Sequence, residues 1–579
     1  MNFHEFCLIL EDLESTASRN EMTKKLAELF GKVTPKEGKY VSYFLLGELE
    51  PPYIGTQFSI AEKTMIVAIA TYFNVEDEEI KKEVKKQGDI SKIMRQDGWH
   101  KKMPTKSIEH IYKDLVELEN ISGLGSQQEK IDFLLKIFDE ITVLEAKYII
   151  RIILGKLRLG FSDMTILDAL SWYLVQDKSQ KKELEVAYNV CVDIGFIVQT
   201  VLEKGIEGIK KIDIIIGIPI RPAAAERLKN ADEIFEKLGP CVAQPKIDGF
   251  RLQVHFDKEK NILRFFSRHL VDMSNIFPDL VSSIKQLDCT SIICEGEAIG
   301  YNATADEFLH FQETVKRKRK HGIEEAQEEH PLKLFLFDLL YCDGKSYLNE
   351  GHEDRRKKLE KISDHLKKEA RVQCIQEYKI YSADQLEDLF LLQLEHGLEG
   401  LVVKRPNAVY QAGKRNFNWI KLKRTHEDSS LSDTIDVVII GYYFGRGKRA
   451  QFGIGALLAA VYNEKKDMFE TIAKIGTGLK DEEFIETKKK LDVCKMNEKP
   501  HNVICDKSLT PDVWIEPKIV CEIYADEVTR SPIHAAGKTE NTNGYALRFP
   551  RFLKYRDDKG ATESTTVKEI EEMYKDQKK

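Results

Sequence analysis

Residues 244–251 read Gln-Pro-Lys-Ile-Asp-Gly-Phe-Arg, and Lys246 inside that octet governs how the rest of the chain is read. A lysine among small and apolar residues, with an aspartate two positions on and a glycine after it, has the surroundings of a nucleophilic amine. The free ε-amine titrates near about 10.4, so holding it neutral at pH 7 costs roughly 4–5 kcal/mol unless the site helps. Partial burial and nearby cations supply such help, and Arg251, Lys421 or a metal ion are the candidates. The octet alone reads equally as a surface lysine ahead of an Asp-Gly turn. The residues C-terminal to it break the tie.

Downstream stand Phe266-Ser267-Arg268, Glu295-Gly296-Glu297-Ala298, Leu336-Phe337-Asp338-Leu339-Leu340-Tyr341, Leu398-Glu399-Gly400-Leu401-Val402-Val403-Lys404, Trp419-Ile420-Lys421-Leu422-Lys423 and Leu547-Arg548-Phe549-Pro550-Arg551. Each string is short enough to arise by chance; the full set in this order is not. The octet resembles the Lys-x-Asp-Gly signature of the covalent nucleotidyltransferases, which comprise DNA ligases, RNA ligases and mRNA capping enzymes. The whole series resembles the ATP-dependent DNA ligases of the archaeal and eukaryotic replicative type. The likeness is strong from about residue 215 onward and weak over the first 120 residues.

That resemblance implies a multidomain chain with an all-α DNA-binding domain (1–214), an α+β nucleotidyltransferase or adenylation domain (215–425) and a C-terminal OB-fold β-barrel (426–579). It implies that Lys246 attacks the α-phosphate of ATP, that the AMP passes to the 5′-phosphate of a nick in duplex DNA, and that the 3′-hydroxyl displaces it. Arg251, Arg268 and Arg415 would contact ATP, because a guanidinium forks onto oxygens as an ammonium cannot. Phe337 would lie under the adenine ring, and Lys421 and Lys423, two apart on a strand, would approach the α-phosphate. Glu297, favoured over Glu295, and Glu399 would hold Mg²⁺. Outside this context an arginine is usually a solvated charge, a strand phenylalanine usually core and a carboxylate usually a salt-bridge partner. One position departs from the pattern. Where these ligases commonly carry a glutamate that accepts from the adenine amine, this chain has Gln244, whose amide oxygen can accept the same bond less strongly. Arg548 and Arg551, with Lys554 close by, would steady the pyrophosphate, and the barrel would swing about a pivot near Asp436.

Composition bounds the rest. A chain of 579 residues with 42% hydrophobic and 32% charged residues is globular and long enough for three or four domains. The net charge of -7 does not advertise a nucleic-acid binder, but a basic face can coexist with acidic helices. Ten scattered cysteines without a Cys-x-x-Cys pair argue against zinc and for reduced thiols. With no signal-like N-terminus and no long apolar run, the expectation is a soluble intracellular monomer, cytoplasmic in a prokaryote or nuclear in a eukaryote, with no membrane contact.

Residues 1 to about 214 are helical in pattern, with Leu8, Leu10, Leu13, Leu26, Leu29 and Phe30 at roughly helical spacing. Short strands are expected beyond them at Leu252–Phe256, Ile292–Glu297, Leu332–Phe337 and Leu401–Lys404, then at Val437–Tyr443, Ala456–Tyr462, Phe469–Ile475 and Val520–Tyr524 in barrel-like spacing. The partner implied is nicked double-stranded DNA. Three segments are candidates for its backbone: the glycine turn Gly123–Ser126, with Ser126 and Glu129 as a capping box, Gly155–Gly160, and the basic loop Arg446–Arg449. Lys316–Lys320 is the most basic run and reads equally as a solvated helix end. No convincing sliding-clamp peptide is visible. The rival readings are a GTP-dependent capping guanylyltransferase or an RNA ligase on the same fold, and a catalytically inert DNA-binding relative.

Overall fold

The computed structural model describes residues 1–94, 99, 106–155, 157, 159–302, 307–308, 317, 331–366, 370–396, 398–423, 434–445 and 447–577. These divide into two compact units, Met1–Lys423 and Arg424–Lys579.

Among the described residues, the first 209 positions build eleven α-helices, from Phe3–Ser15 to Ile194–Ile209, around one apolar core. In the first helix Phe3, Phe6, Cys7, Leu10 and Leu13 are buried, a single stripe at helical spacing. Leu8, expected in that stripe, falls off it and is 51% exposed. The buried Arg151 guanidinium is paired: it donates to Glu14 at 2.9 Å, Asp89 at 2.9 Å and Ser91 at 2.8 Å. The expected Ser126–Glu129 capping box is absent. Ser126 is already helical, and Gly125, at φ 84°, is the cap. Its carbonyl accepts from the amides of Gln128 and Glu129, so the left-handed glycine turn does what a side-chain cap would have done. Lys156 and Arg158 of the Gly155–Gly160 segment lie outside the described residues, as do Lys316 and residues 318–320. Arg317 is buried against Asp279 at 2.6 Å.

From residue 224 the pattern turns to strands. In chain order these are β1 (Ala224–Arg227), β2 (Cys241–Lys246), β3 (Phe250–Asp257), β4 (Ile262–Ser267), β5 (Ser291–Asn302), β6 (Glu307–Phe308), β7 (Leu332–Cys342), β8 (Lys345–Ser346), β9 (Val372–Cys374), β10 (Tyr378–Ile380), β11 (Gly400–Lys404) and β12 (Arg415–Lys423). They form two sheets. One has the order β1-β12-β11-β2-β10; the other runs β4-β3-β5-β7-β8, with β6 on β5 and β9 on β7. The chain crosses from one sheet to the other at Ile247–Gly249, immediately after Lys246. β7 runs well past Phe337, where the sequence pattern placed its end, because Leu339, Leu340 and Cys342 continue into the core.

The second unit is strand-rich, with curled sheets of the OB type. Its main sheet centres on Val513–Tyr524, paired with Ile435–Tyr443, which pairs in turn with Ala456–Asn463 and then Met468–Ile475. The basic loop is only partly available: Arg446 lies outside the described residues, and Arg449 donates to the carbonyls of Gly455 and Gly476 at 3.2 and 2.8 Å. Inward hydrogen bonding makes Arg449 a loop brace rather than the projecting cation expected. Within this unit Arg548 pairs with Glu527 at 2.6 Å, Lys554 with Glu522 at 3.1 Å, and Asp436 with Arg556 and Lys559 at 3.1 and 2.6 Å.

Candidate active site

Lys246 ends β2 and Arg251 is the second residue of β3, so the crossing between sheets places them on opposite walls of one cleft. Gly249 makes the crossing possible. A Cβ there would lie 2.4 Å from the carbonyl oxygen of Ala298 on β5. On the other side of β2, Lys246 pairs with Gly400 of β11, and the Glu399 amide donates to the Lys246 carbonyl at 3.2 Å. Gly400 sits at φ 139°, and a Cβ would come within 2.2 Å of the Leu422 carbonyl, so only glycine lets β11 lie this close to β12.

The ten residues named from the sequence within the adenylation domain for catalysis, nucleotide and metal (Gln244, Lys246, Arg251, Arg268, Glu297, Phe337, Glu399, Arg415, Lys421 and Lys423) line this one cleft of about 1220 Å³. Strings far apart in sequence meet because β2, β11 and β12 are neighbours in one sheet while β3, β5 and β7 are neighbours in the other. Glu295 and Glu297, two apart on β5, take different surroundings. Glu297 lines the cleft; Glu295 is fully buried behind it and binds Arg251.

The charges fall into three groups. The Lys246 ammonium donates to Glu399, whose other oxygen accepts from Lys423 at 2.8 Å. Burial alone would raise the Glu399 carboxyl, but Lys246 and Lys423 hold it below the usual range. Glu297 has no such match. Burial pushes it up to about 7, and the attraction of Lys246 and Arg251 does not offset that. Lys421 is pushed below the ordinary lysine range by burial and by the cations Arg415, Lys423, Lys246 and Arg268 around it. Among the described residues, Lys421, Arg268 and Arg415 have no carboxylate within ion-pair distance.

Arg251 therefore differs in setting from the other two arginines. Arg251 is an internal strut, donating to both Glu295 oxygens at 3.0 and 2.9 Å and to the Ala223 carbonyl at 2.7 Å, with Tyr410 donating to Glu295 at 2.8 Å. Arg268 and Arg415 are exposed on the cleft. An aromatic wall completes the site. Phe337 meets Trp419 edge to face at 6.2 Å, and the Arg251 guanidinium lies 5.4 Å from the Phe337 ring centre. Lys404, buried beneath, donates to the Phe337 carbonyl at 3.0 Å and stands 4.3 Å from the Trp419 ring centre. Burial lowers its pKa to about 8, with Asp338 opposing. Trp419 and Lys404 stood inside the quoted strings without a role; their packing supplies one.

Glu297 and Glu399 are two of four carboxylates that line the cleft, with Asp248 and Asp272, and among the described residues no group of three or more metal-binding side chains occurs. That donor set suits Mg²⁺, which commonly takes one or two carboxylates and leaves its remaining positions to water and phosphate. It does not suit zinc, and all ten cysteines are free thiols.

A lysine facing a polyphosphate-sized cleft agrees with what the chain matches. Residues 2–171 match the DNA ligase N terminus, residues 222–423 the ATP dependent DNA ligase domain, and residues 450–559 the ATP dependent DNA ligase C terminal region. A probable DNA ligase of Dictyoglomus turgidum is 43% identical over 581 residues, covering 100% of this chain and 98% of its own. The chain belongs to the ATP-dependent DNA ligase family. This ligase is also 38% identical to DNA ligase 2 of Korarchaeum cryptofilum, over 100% of the chain and 98% of that relative. Its fold is shared with the solved structure described as Pmar-Lig_PreS3, at TM-score 0.56 and 17% identity, covering 95% of this chain and 99% of that one. The ligase uses ATP, with Mg²⁺ as the family's usual metal. Membership sets aside the capping-enzyme and RNA-ligase readings. No helix among the described residues is long and apolar enough to cross a membrane.

Proposed function

We propose that this ligase seals nicks in duplex DNA with Lys246 as the carrier of AMP, and that the cleft residues divide the work by their surroundings. One observation carries the reading: a lysine amine, the Glu297 and Glu399 carboxylates, aromatic rings and three cations that, among the described residues, have no carboxylate within ion-pair distance share one cleft. Lys246 Nζ forms the bond to the α-phosphorus while the bond to the bridging oxygen of pyrophosphate breaks. Before that, Nζ must leave Glu399 and lose its proton. Lys421, Arg268 and Arg415 are the cations available to phosphate oxygens, which is where positioning and charge neutralisation matter most in phosphoryl transfer. Glu297 and Glu399 are the residues that would hold Mg²⁺, which when bound neutralises phosphate charge. Phe337 offers the apolar face on which adenine would stack, with Trp419 braced edge to face against it. Arg251 acts behind this layer by keeping the wall in place.

For the chain as a whole we assign DNA gripping to residues 1–214, adenylation to 215–425 and an OB-fold module to 426–579. Incubation with α-labelled ATP and Mg²⁺, followed by a denaturing gel, tests the chemistry: covalent label is expected on the wild type and none on Lys246→Ala. Label on the alanine variant would defeat the assignment.

A further inference from the structure

Behind the aromatic wall lies a polar network that none of the motif residues explains. Gln244, on β2 two residues before the nucleophile, is only 2% exposed, yet it lines the cleft. β10 runs antiparallel to β2 with Tyr378 opposite Ala243, so one residue further along this register sets Glu377 opposite Gln244. Their side chains meet: the Gln244 amide nitrogen donates to Glu377 at 2.6 Å. The same Glu377 oxygen accepts from His352 Nε2 at 2.8 Å. His352 is itself buried, with its other ring nitrogen 3.8 Å from Asp338. Burial would raise the Glu377 carboxyl, but His352, Lys404 and Arg356 keep it below the usual range, so it is an anion.

An ionised carboxylate can only accept hydrogen bonds. That fixes which way the amide of Gln244 faces: the NH₂ group must point to Glu377, with its second hydrogen toward the Phe337 carbonyl at 3.5 Å. The amide oxygen is then left on the far side, and among the described residues nothing donates to it. A carboxamide held this way is an acceptor only. At the Watson–Crick edge of a purine it accepts from the 6-amino group of adenine and repels the 6-oxo group of guanine or hypoxanthine.

We propose that Glu377, held by His352, is the positioning residue that makes Gln244 an acceptor-only reader of the nucleotide base and so sets the preference for adenine. The inference rests on the reading of the cleft as the ATP site. It accounts for how a glutamine serves where the resembling ligases commonly carry glutamate: the negative charge is kept, displaced to Glu377 just ahead of the neighbouring strand. A glutamate at 244 would place two carboxylates within hydrogen-bond distance, so the charge belongs at one position of the pair and not at both.

The test is a swap. Self-adenylylation is measured as kcat/KM with ATP, with purine riboside triphosphate (which lacks the 6-amino group) and with inosine triphosphate, on wild type, Glu377→Gln, Gln244→Glu and the double variant. In Glu377→Gln the two amides can turn over together, so the preference for ATP over purine riboside triphosphate should shrink about tenfold, and use of inosine triphosphate should rise. Gln244→Glu should lose ATP use and melt at a lower temperature. In Gln244→Glu/Glu377→Gln the charge is transposed and the donor restored, and both the ATP preference and the melting temperature should return to within about threefold and a few degrees of wild type. Equal losses on ATP and on the amine-free analogue, or a double variant no better than either single one, would overturn the proposal. Failure of the underlying ATP-site reading looks different: label would persist in Lys246→Ala, or wild type would take no label from any of the three nucleotides.

Discussion

Lys246 and Glu399 form an ion pair in the cleft, and the carboxylate that holds the Lys246 amine is shared with Lys423 at 2.8 Å. The nucleophile is therefore held against a carboxylate, and Lys246→Arg can keep that pair while losing the chemistry. A guanidinium stays protonated at neutral pH and cannot attack phosphorus. Lys246→Arg should melt within a few degrees of wild type and form no protein-bound AMP, whereas Lys246→Ala should fail in both respects, leaving Glu399 short of one partner. Covalent label on the arginine variant would remove Lys246 from its role.

Glu399 and Glu297 face the same cleft with opposite consequences for stability. The Glu399 carboxyl is held low, so its contribution is fully present above the ordinary glutamate range and is lost as pH falls through its folded value. Glu399→Gln should lower the melting temperature at pH 7 to 8, by about 1 kcal/mol in stability, and the difference from wild type should vanish in acid. Thermal melts across pH 3 to 8 read this directly. A deficit that persists unchanged at pH 3 would mean that packing rather than charge is what the substitution removes.

Glu297 runs the other way. Its pKa, pushed up to about 7 by burial, lies above the unfolded value, so the folded protein takes up a proton there and loses stability as pH rises through that window. Glu297→Gln should therefore stabilise the ligand-free protein at pH 8, by at most about 3 kcal/mol, and change little at pH 4. Mg²⁺-dependent adenylylation should fall by about 100-fold or more. A variant that is no more stable at pH 8 than wild type would contradict the account of the carboxyl's surroundings.

The arginines separate by the same logic. Removing Arg251 strands the fully buried Glu295, so Arg251→Ala should lose about 3–5 kcal/mol and, with it, activity. Arg268→Ala and Arg415→Ala remove exposed cations, so they should leave the melting temperature within a degree or two while adenylylation falls about tenfold or more. Parallel melts and label-transfer rates distinguish a strut from a phosphate contact.

Legible in the sequence was the set of candidate residues on five of the six downstream strings, which sit on or beside strands whose pairing in two sheets returns them to one cleft; Leu547–Arg551 belongs to the second unit. The boundaries and the supporting layer were not. Glu377 and His352 belong to no recognisable string, and only the register of β10 against β2 brings Glu377 to Gln244, 133 residues away. Leu8 matched the helical spacing by number but not by face, since the stripe was already occupied by Phe6, Cys7 and Leu10. Ser126 looked like a cap because the sequence does not show that Gly125 takes a left-handed turn. Arg449 looked like a free cation because its carbonyl partners, Gly455 and Gly476, carry no side chain to betray them.

Salt should reveal where nicked DNA is held. If residues 1–214 grip phosphates, the affinity should fall with salt with a slope of about -0.9 per neutralised phosphate, and a chain lacking them should show a shallower slope and poor sealing. Titrations between about 50 and 200 mM salt measure it. Identical slopes for the two proteins would assign the DNA grip to another part of the chain.

The short crossing at Ile247–Gly249 has a mechanical consequence. Lys246 and Phe250 are tethered by so few residues that their Cα atoms can never part by more than about 14 Å, however the two walls flex. The cleft is thus a crease, its two walls joined at one edge by a three-residue fold line. The Lys246 amine that must meet phosphorus sits beside that fold line, so the covalent tether itself keeps it within reach of the β3 wall.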